Sequence, residues 1–108
     1  YIEAIKVLEK NLIFFKNNKN FKIFKFDCFE FFESGKEINE KFDIIFIDPP
    51  YKELRINKLI EKIIEKKILK NDGLMIIHRH KKDKLEISKK VKILDVRNYG
   101  ISKVYFLN

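Results

Sequence analysis

The sequence predicts an α/β fold with a mostly parallel sheet and an antiparallel hairpin at its C-terminal end. Three observations carry this. Short apolar runs rich in β-branched and aromatic residues, at 21–26, 44–47 and 74–77, alternate with stretches of helical periodicity. The uninterrupted run 44–47 has the character of a strand covered on both faces, as in a parallel sheet. Two further strand-like runs, 91–96 and 101–107, lie on either side of Asn98-Tyr99-Gly100, a tight-turn signal.

The elements follow in order. Ile5, Leu8, Leu12 and Phe15 recur at spacings of three and four, forming one apolar stripe on an amphipathic helix that ends near Asn17-Asn18. The chain opens on Tyr1-Ile2-Glu3-Ala4, with neither an initiator Met nor a capping residue. It is therefore expected to be an N-terminally truncated fragment, with residues 1–108 forming one partial domain. Residues 21–26, bounded by Asn20 and Asp27, read as a strand. Asp27 then opens a short helix with Phe29, Phe31 and Phe32 as apolar contacts, and Ser34-Gly35 ends it. Asp27 has two readings: a plain N-cap, or an acceptor for the adenine amine of a cofactor lying along the strand ends.

The run Phe42-Asp43-Ile44-Ile45-Phe46-Ile47 ends in Asp48-Pro49-Pro50-Tyr51. Neither proline has an amide proton for a sheet ladder, and each keeps the residue before it extended. Asp48 and the Pro49 carbonyl thus become two acceptors at the carboxyl end of a strand, where open parallel sheets bind ligands. Two such acceptors can hold both N–H bonds of an exocyclic amine and stabilise the positive charge that develops as its nitrogen attacks an electrophile. Tyr51 supplies a ring on which a flat base can stack. The plainer reading is a strand closed by a proline turn.

Beyond Tyr51, Ile56, Leu59, Ile60, Ile63, Ile64 and Ile68 mark a second amphipathic helix, with Glu61, Lys62, Glu65 and Lys66 on its solvated side. Asn71-Asp72-Gly73 reads as a turn before the strand 74–77. The run His78-Arg79-His80-Lys81-Lys82 follows that strand directly. Arg79, Lys81 and Lys82 form a basic patch that could touch phosphate, or a plain solvated charge run. His78, His80 and Cys28 match no standard zinc spacing, so no metal is expected.

The composition agrees with this picture without specifying it. A hydrophobic fraction of 45% suits a folded domain. No apolar stretch is long enough to span a bilayer, and the single Cys28 cannot form an internal disulfide, so a cytoplasmic setting is expected. The formal charge of +8, from 24 Lys and Arg against 16 Asp and Glu, suits a polyanionic partner. The prevalence of Lys, Ile and Phe is also what A/T-rich coding produces.

Asp48-Pro49-Pro50-Tyr51 resembles the Asp/Asn-Pro-Pro-Tyr/Phe motif of S-adenosylmethionine-dependent amino-methyltransferases at all four positions. Together with Tyr99-Gly100-Ile101-Ser102-Lys103-Val104-Tyr105-Phe106 and the order of elements, the whole chain resembles the later part of a Rossmann-like methyltransferase. It is similar to the bacterial enzymes that methylate the N2 amine of a guanine in 16S ribosomal RNA. That resemblance implies S-adenosylmethionine as cofactor, with its adenine at Asp27 and the Cys28 amide. It implies that Asp48 and the Pro49 carbonyl hold the guanine amine, with Tyr51 on the base, in a monomer acting on 16S ribosomal RNA or a small-subunit particle. The family's glycine-rich loop and its ribose-binding acid would lie before Tyr1, and two strands of its sheet would lie between residues 21–26 and 44–47. His78 stands where related enzymes often carry an acidic residue. A DNA amino-methyltransferase, a protein-glutamine methyltransferase and a non-catalytic basic RNA-binding module remain as rivals.

Overall fold

A computed structural model of the protein describes residues 2–15 and 21–108. The order is α1 (Ile2–Leu12), a 3-10 turn (Ile13–Phe15), α2 (Cys28–Glu33), β1 (Phe42–Ile47), α3 (Ile56–Glu65), β2 (Leu69–His80), β3 (Ile93–Tyr99) and β4 (Ser102–Leu107). The four strands form one sheet in the order β1-β2-β4-β3. β1 and β2 are parallel, and the C-terminal hairpin joins them antiparallel through β4. The architecture is α/β as expected, with one parallel pair and two antiparallel pairs among the described strands.

The core lies on one face of this sheet. Met75, Ile77, Tyr105 and Leu107 from β2 and β4 meet Ile56, Leu59, Ile60 and Ile63 of α3. Each fully buried aliphatic side chain of this kind contributes about 1.5–3 kcal/mol, so α3 is held by packing rather than by propensity. It lacks a side-chain N-cap but is closed firmly at its C-terminus. The Lys67 amide donates to the Ile64 carbonyl and the Ile68 amide to that of Ile63, with Lys67 at φ 53°. The helix stops at Glu65 rather than reaching Ile68, yet Ile68 remains buried in the core.

Several expectations change. The run 44–47 is not covered on both faces: Ile47 is buried, but Ile44 and Phe46 are 61% and 62% exposed. Side chains alternate across a strand, and among the described residues packing reaches one face of β1. Residues 21–26 form no strand, because among the described strands none pairs with them. Phe26 instead stacks on Phe31 with ring centroids 4.6 Å apart. In α1 the predicted apolar stripe exists, but the helix buries none of its residues. Its expected end near Asn17-Asn18 lies outside the described residues.

Asn71-Asp72-Gly73 is not a turn between elements. It lies inside β2, where Phe42 pairs with Leu69 but Ile44 pairs with Leu74, so two steps on β1 span five on β2. The extra residues bulge out and the ladder then resumes. Gly73 is required there: a Cβ would lie 2.7 Å from Leu69 Cδ1 and 2.9 Å from the Lys70 carbonyl oxygen. In the hairpin β3 runs on to Tyr99, past its predicted end, and β4 begins at Ser102, leaving Gly100 at φ 58° and Ile101 as the turn.

Candidate functional site

The parallel ladder fixes the site. Ile47 pairs with Ile77, so Asp48 and His78 leave the sheet side by side. His78 Nδ1 lies 2.9 Å from Asp48 Oδ1, with the two side chains 39% and 58% exposed. Within the loop that follows, Pro49 is half-buried and Tyr51 is exposed. The Tyr51 ring packs against His80 at 4.5 Å between centroids, and Lys52 Nζ sits 5.3 Å from the Tyr51 centroid. No turn, loop or cap hydrogen bond among the described residues takes the Pro49 carbonyl. The Pro50 carbonyl is engaged, accepting from the Glu53 amide at 3.2 Å.

Arg79 takes a different part from the one expected. Rather than facing solvent phosphate, it is 5% exposed and points to the core side of β2, in phase with Met75 and Ile77. Its guanidinium donates to the Glu53 carbonyl at 3.0 Å and the Pro50 carbonyl at 3.4 Å, and pairs with Asp83 Oδ2 at 3.0 Å. Asp83 in turn accepts from the Lys52 amide at 3.3 Å, where Lys52 holds φ 63°. This buried pair clamps the loop that carries the Asp-Pro-Pro-Tyr motif. Lys81 and Lys82 are exposed at the same end of β2.

Asp27 is the N-cap of α2: its Oδ1 accepts from the Phe29 amide at 2.8 Å and the Glu30 amide at 3.2 Å. Cys28 has a thiol pushed up first by burial and then by the neighbouring Asp27 carboxylate. The residue as a whole remains exposed. An apolar cleft of about 540 Å³ brings Cys28 and Phe29 to the same wall system as Asp48, Pro49 and Pro50. Arg55 ties the two halves together. It forms a two-pronged pair with Glu53 at 2.8 and 2.9 Å, and its guanidinium lies 4.0 Å from the Phe29 ring centroid.

Asp48, Pro49, Pro50 and Tyr51 thus follow β1 directly, and Cys28 lines the same cleft as Asp48, Pro49 and Pro50. The sequence assigns no role to Asp83 or Arg55, and weighs His78 only as a metal ligand and as the occupant of a position often acidic in related enzymes. His78 could have been found from its register beside Asp48. Asp83 and Arg55 carry no local signal, because their partners lie across the fold.

A strand-end carboxylate followed by two prolines and an aromatic, on an α/β sheet with an antiparallel terminal hairpin, defines a Rossmann-like methyltransferase fold. The family described as Conserved hypothetical protein 95 matches residues 2–108, and the chain belongs to it. An uncharacterised methylase of Rickettsia prowazekii (strain Madrid E) is 35% identical over 69 residues, 64% of this chain and 29% of that protein. A conserved hypothetical protein of Streptococcus pyogenes superposes with a TM-score of 0.81 at 27% identity, covering 97% of this chain and 64% of its own. A candidate methylase of Haemophilus influenzae shares the fold, with a TM-score of 0.76 at 22% identity over 94% of this chain and 63% of its own. The chain thus spans less than two thirds of the length of each of these relatives.

Proposed function

We propose that the protein transfers a methyl group from S-adenosylmethionine to the exocyclic N2 amine of a guanine in 16S ribosomal RNA. The observation that carries this reading is the succession of Asp48, Pro49, Pro50 and Tyr51 directly after β1, with the Asp48 carboxylate and the Tyr51 ring both exposed. Membership of a family whose relatives include proteins described as methylases supports the reaction class. The guanine and the RNA rest on the resemblance of the sequence to that group of enzymes.

The cleft fits the cofactor. Cys28, Phe29, Pro49 and Pro50 give it apolar walls suited to a purine, and Asp27, the cap of α2, directly precedes Cys28. Bound there, S-adenosylmethionine supplies a methyl group already activated by its sulfonium. The chain's own residues do the remainder. Asp48 and the Pro49 carbonyl accept the two N–H bonds of the amine, orient its lone pair and favour the charge that forms on nitrogen. Tyr51 stacks on the base, and Lys81 and Lys82 meet phosphate on free RNA or on a small-subunit particle.

The test uses the protein at its natural length, labelled S-adenosylmethionine and 16S ribosomal RNA from cells lacking the enzyme. Label is expected in N2-methylguanine, with Asp48→Ala reducing turnover at least ~100-fold while RNA affinity stays within about threefold. Label on DNA or on protein glutamine instead would replace the substrate. Tight RNA binding with no transfer under any condition would favour a binding module.

A further inference from the structure

Asp48 has a neighbour that the reaction as proposed does not use. His78 leaves β2 beside it, and its Nδ1 lies 2.9 Å from one carboxylate oxygen, Oδ1. A carboxylate is acceptor-only, so the hydrogen in this contact belongs to the imidazole, which must carry a proton on Nδ1. Both side chains are well exposed, at 39% and 58%, and an ion pair or hydrogen bond of that exposure contributes little to stability. Its consequence is geometric. With Oδ1 held, the carboxylate cannot rotate freely about its terminal torsion, a broad and soft one in an unrestrained aspartate. Oδ2 is then left to face a substrate N–H.

We propose that His78 is a positioning residue. Its Nδ1–H fixes the rotamer of Asp48, so that one oxygen is reserved for the substrate amine. This rests on the methyl-transfer reading above for its catalytic consequence, but not for the contact itself. The backbone supplies the alignment: Ile44 to Ile47 pair in unbroken register with Leu74 to Ile77, so residues 48 and 78 emerge together. His80, two residues on and on the same side of the strand, is already occupied by the Tyr51 ring and the Lys82 amide. His78 is thus the histidine available to Asp48.

Two measurements on the natural-length protein test this separately from the activity itself. Nitrogen-15 NMR of the His78 ring at pH 8.5, where an ordinary histidine is neutral, should show the proton on Nδ1. In Asp48→Ala it should move to Nε2. Kinetics then compare His78→Leu with His78→Asn, whose amide nitrogen can occupy the place of Nδ1. His78→Leu should lower kcat about 10–100-fold, since a loosened catalytic group costs of that order, with KM values within about threefold. His78→Asn should recover kcat to within about threefold of wild type, and neither variant should move the urea midpoint appreciably.

A ring protonated on Nε2 in the wild type overturns the proposal, as does a His78→Leu enzyme with unchanged kcat. An Asn variant as impaired as Leu, or a loss confined to KM, overturns it equally. If the wild type transfers no methyl group but the Nδ1 proton is present and depends on Asp48, the methyl-transfer reading fails while the positioning of Asp48 by His78 stands.

Discussion

Replacing Arg79 by Met removes the charge from the clamp beneath the motif loop while keeping most of the side-chain volume. The Arg79 and Asp83 side chains are 4% and 8% exposed, so the substitution strands a carboxylate that retains the Lys52 amide at 3.3 Å as its recorded partner. The Glu53 carbonyl also loses its 3.0 Å donor. Removing one member of a buried pair costs about 3–5 kcal/mol, much of it the penalty of the charge left behind. Glu53 and Pro50 sit in a surface loop where water can replace the lost donors, which places Arg79→Met toward the lower half of that range. In urea this is a midpoint shift of about 1–2 M for a domain of ordinary denaturant sensitivity. The double variant Arg79→Met/Asp83→Leu removes both charges and should regain most of the loss, because an apolar pair can occupy the site without a desolvated ion. The measurement is equilibrium urea unfolding of the natural-length protein for wild type, both single variants and the double. A cost below about 1 kcal/mol for Arg79→Met, or a double variant no more stable than Arg79→Met, would refute the clamp.

Two further outcomes follow from the same geometry. The hydrogen bond from Arg55 holds the Glu53 carboxyl down to about 2 from an ordinary 4.5. A folded value below the unfolded one stabilises above about pH 4.5 and is lost as pH falls toward 2. Arg55→Met should therefore flatten this part of the acid limb, seen as a smaller drop in urea midpoint between pH 5 and 3; because Arg55 is half-exposed, the difference should shrink in high salt. Gly73→Ala forces a methyl group against Leu69 and the Lys70 carbonyl, and should cost about 1–3 kcal/mol by thermal unfolding. An alanine variant as stable as wild type would show that the bulge yields freely.

The parts legible in the sequence are those decided by local chemistry. Asp27 caps α2 because a carboxylate two and three residues before free amides needs nothing from the rest of the chain. The stripe Ile56, Leu59, Ile60 and Ile63 packs as its spacing predicts. What failed depended on partners. Residues 21–26 have strand character, but a strand exists through its ladder, and none is offered to them by the described residues. Asn71-Asp72-Gly73 has turn chemistry, yet β2 absorbs it as a bulge because the pairing resumes at Leu74. Ending that strand at Ile77 also hid Arg79: carried two residues further, the alternation that buries Met75 and Ile77 buries the guanidinium as well.

That alternation also explains how the motif loop is held. Successive side chains at the end of β2 project to opposite faces, and each touches a different point of the loop beside it. His78 meets Asp48, Arg79 meets the Pro50 carbonyl and His80 meets Tyr51, in the same order along the end of β2 and the loop that follows β1. A slip of one residue would place the buried arginine beside Asp48 and turn both histidines into the core, so the site depends on register more than on any single contact. Register is pinned by Met75 and Ile77, neither with measurable exposure. The five-against-two mismatch is confined to the start of β1, away from Asp48. The irregularity that made Asn71-Asp72-Gly73 look like a turn thus takes up the length difference between the strands at the end where no chemistry is placed, leaving the last four pairs aligned beneath the acceptor.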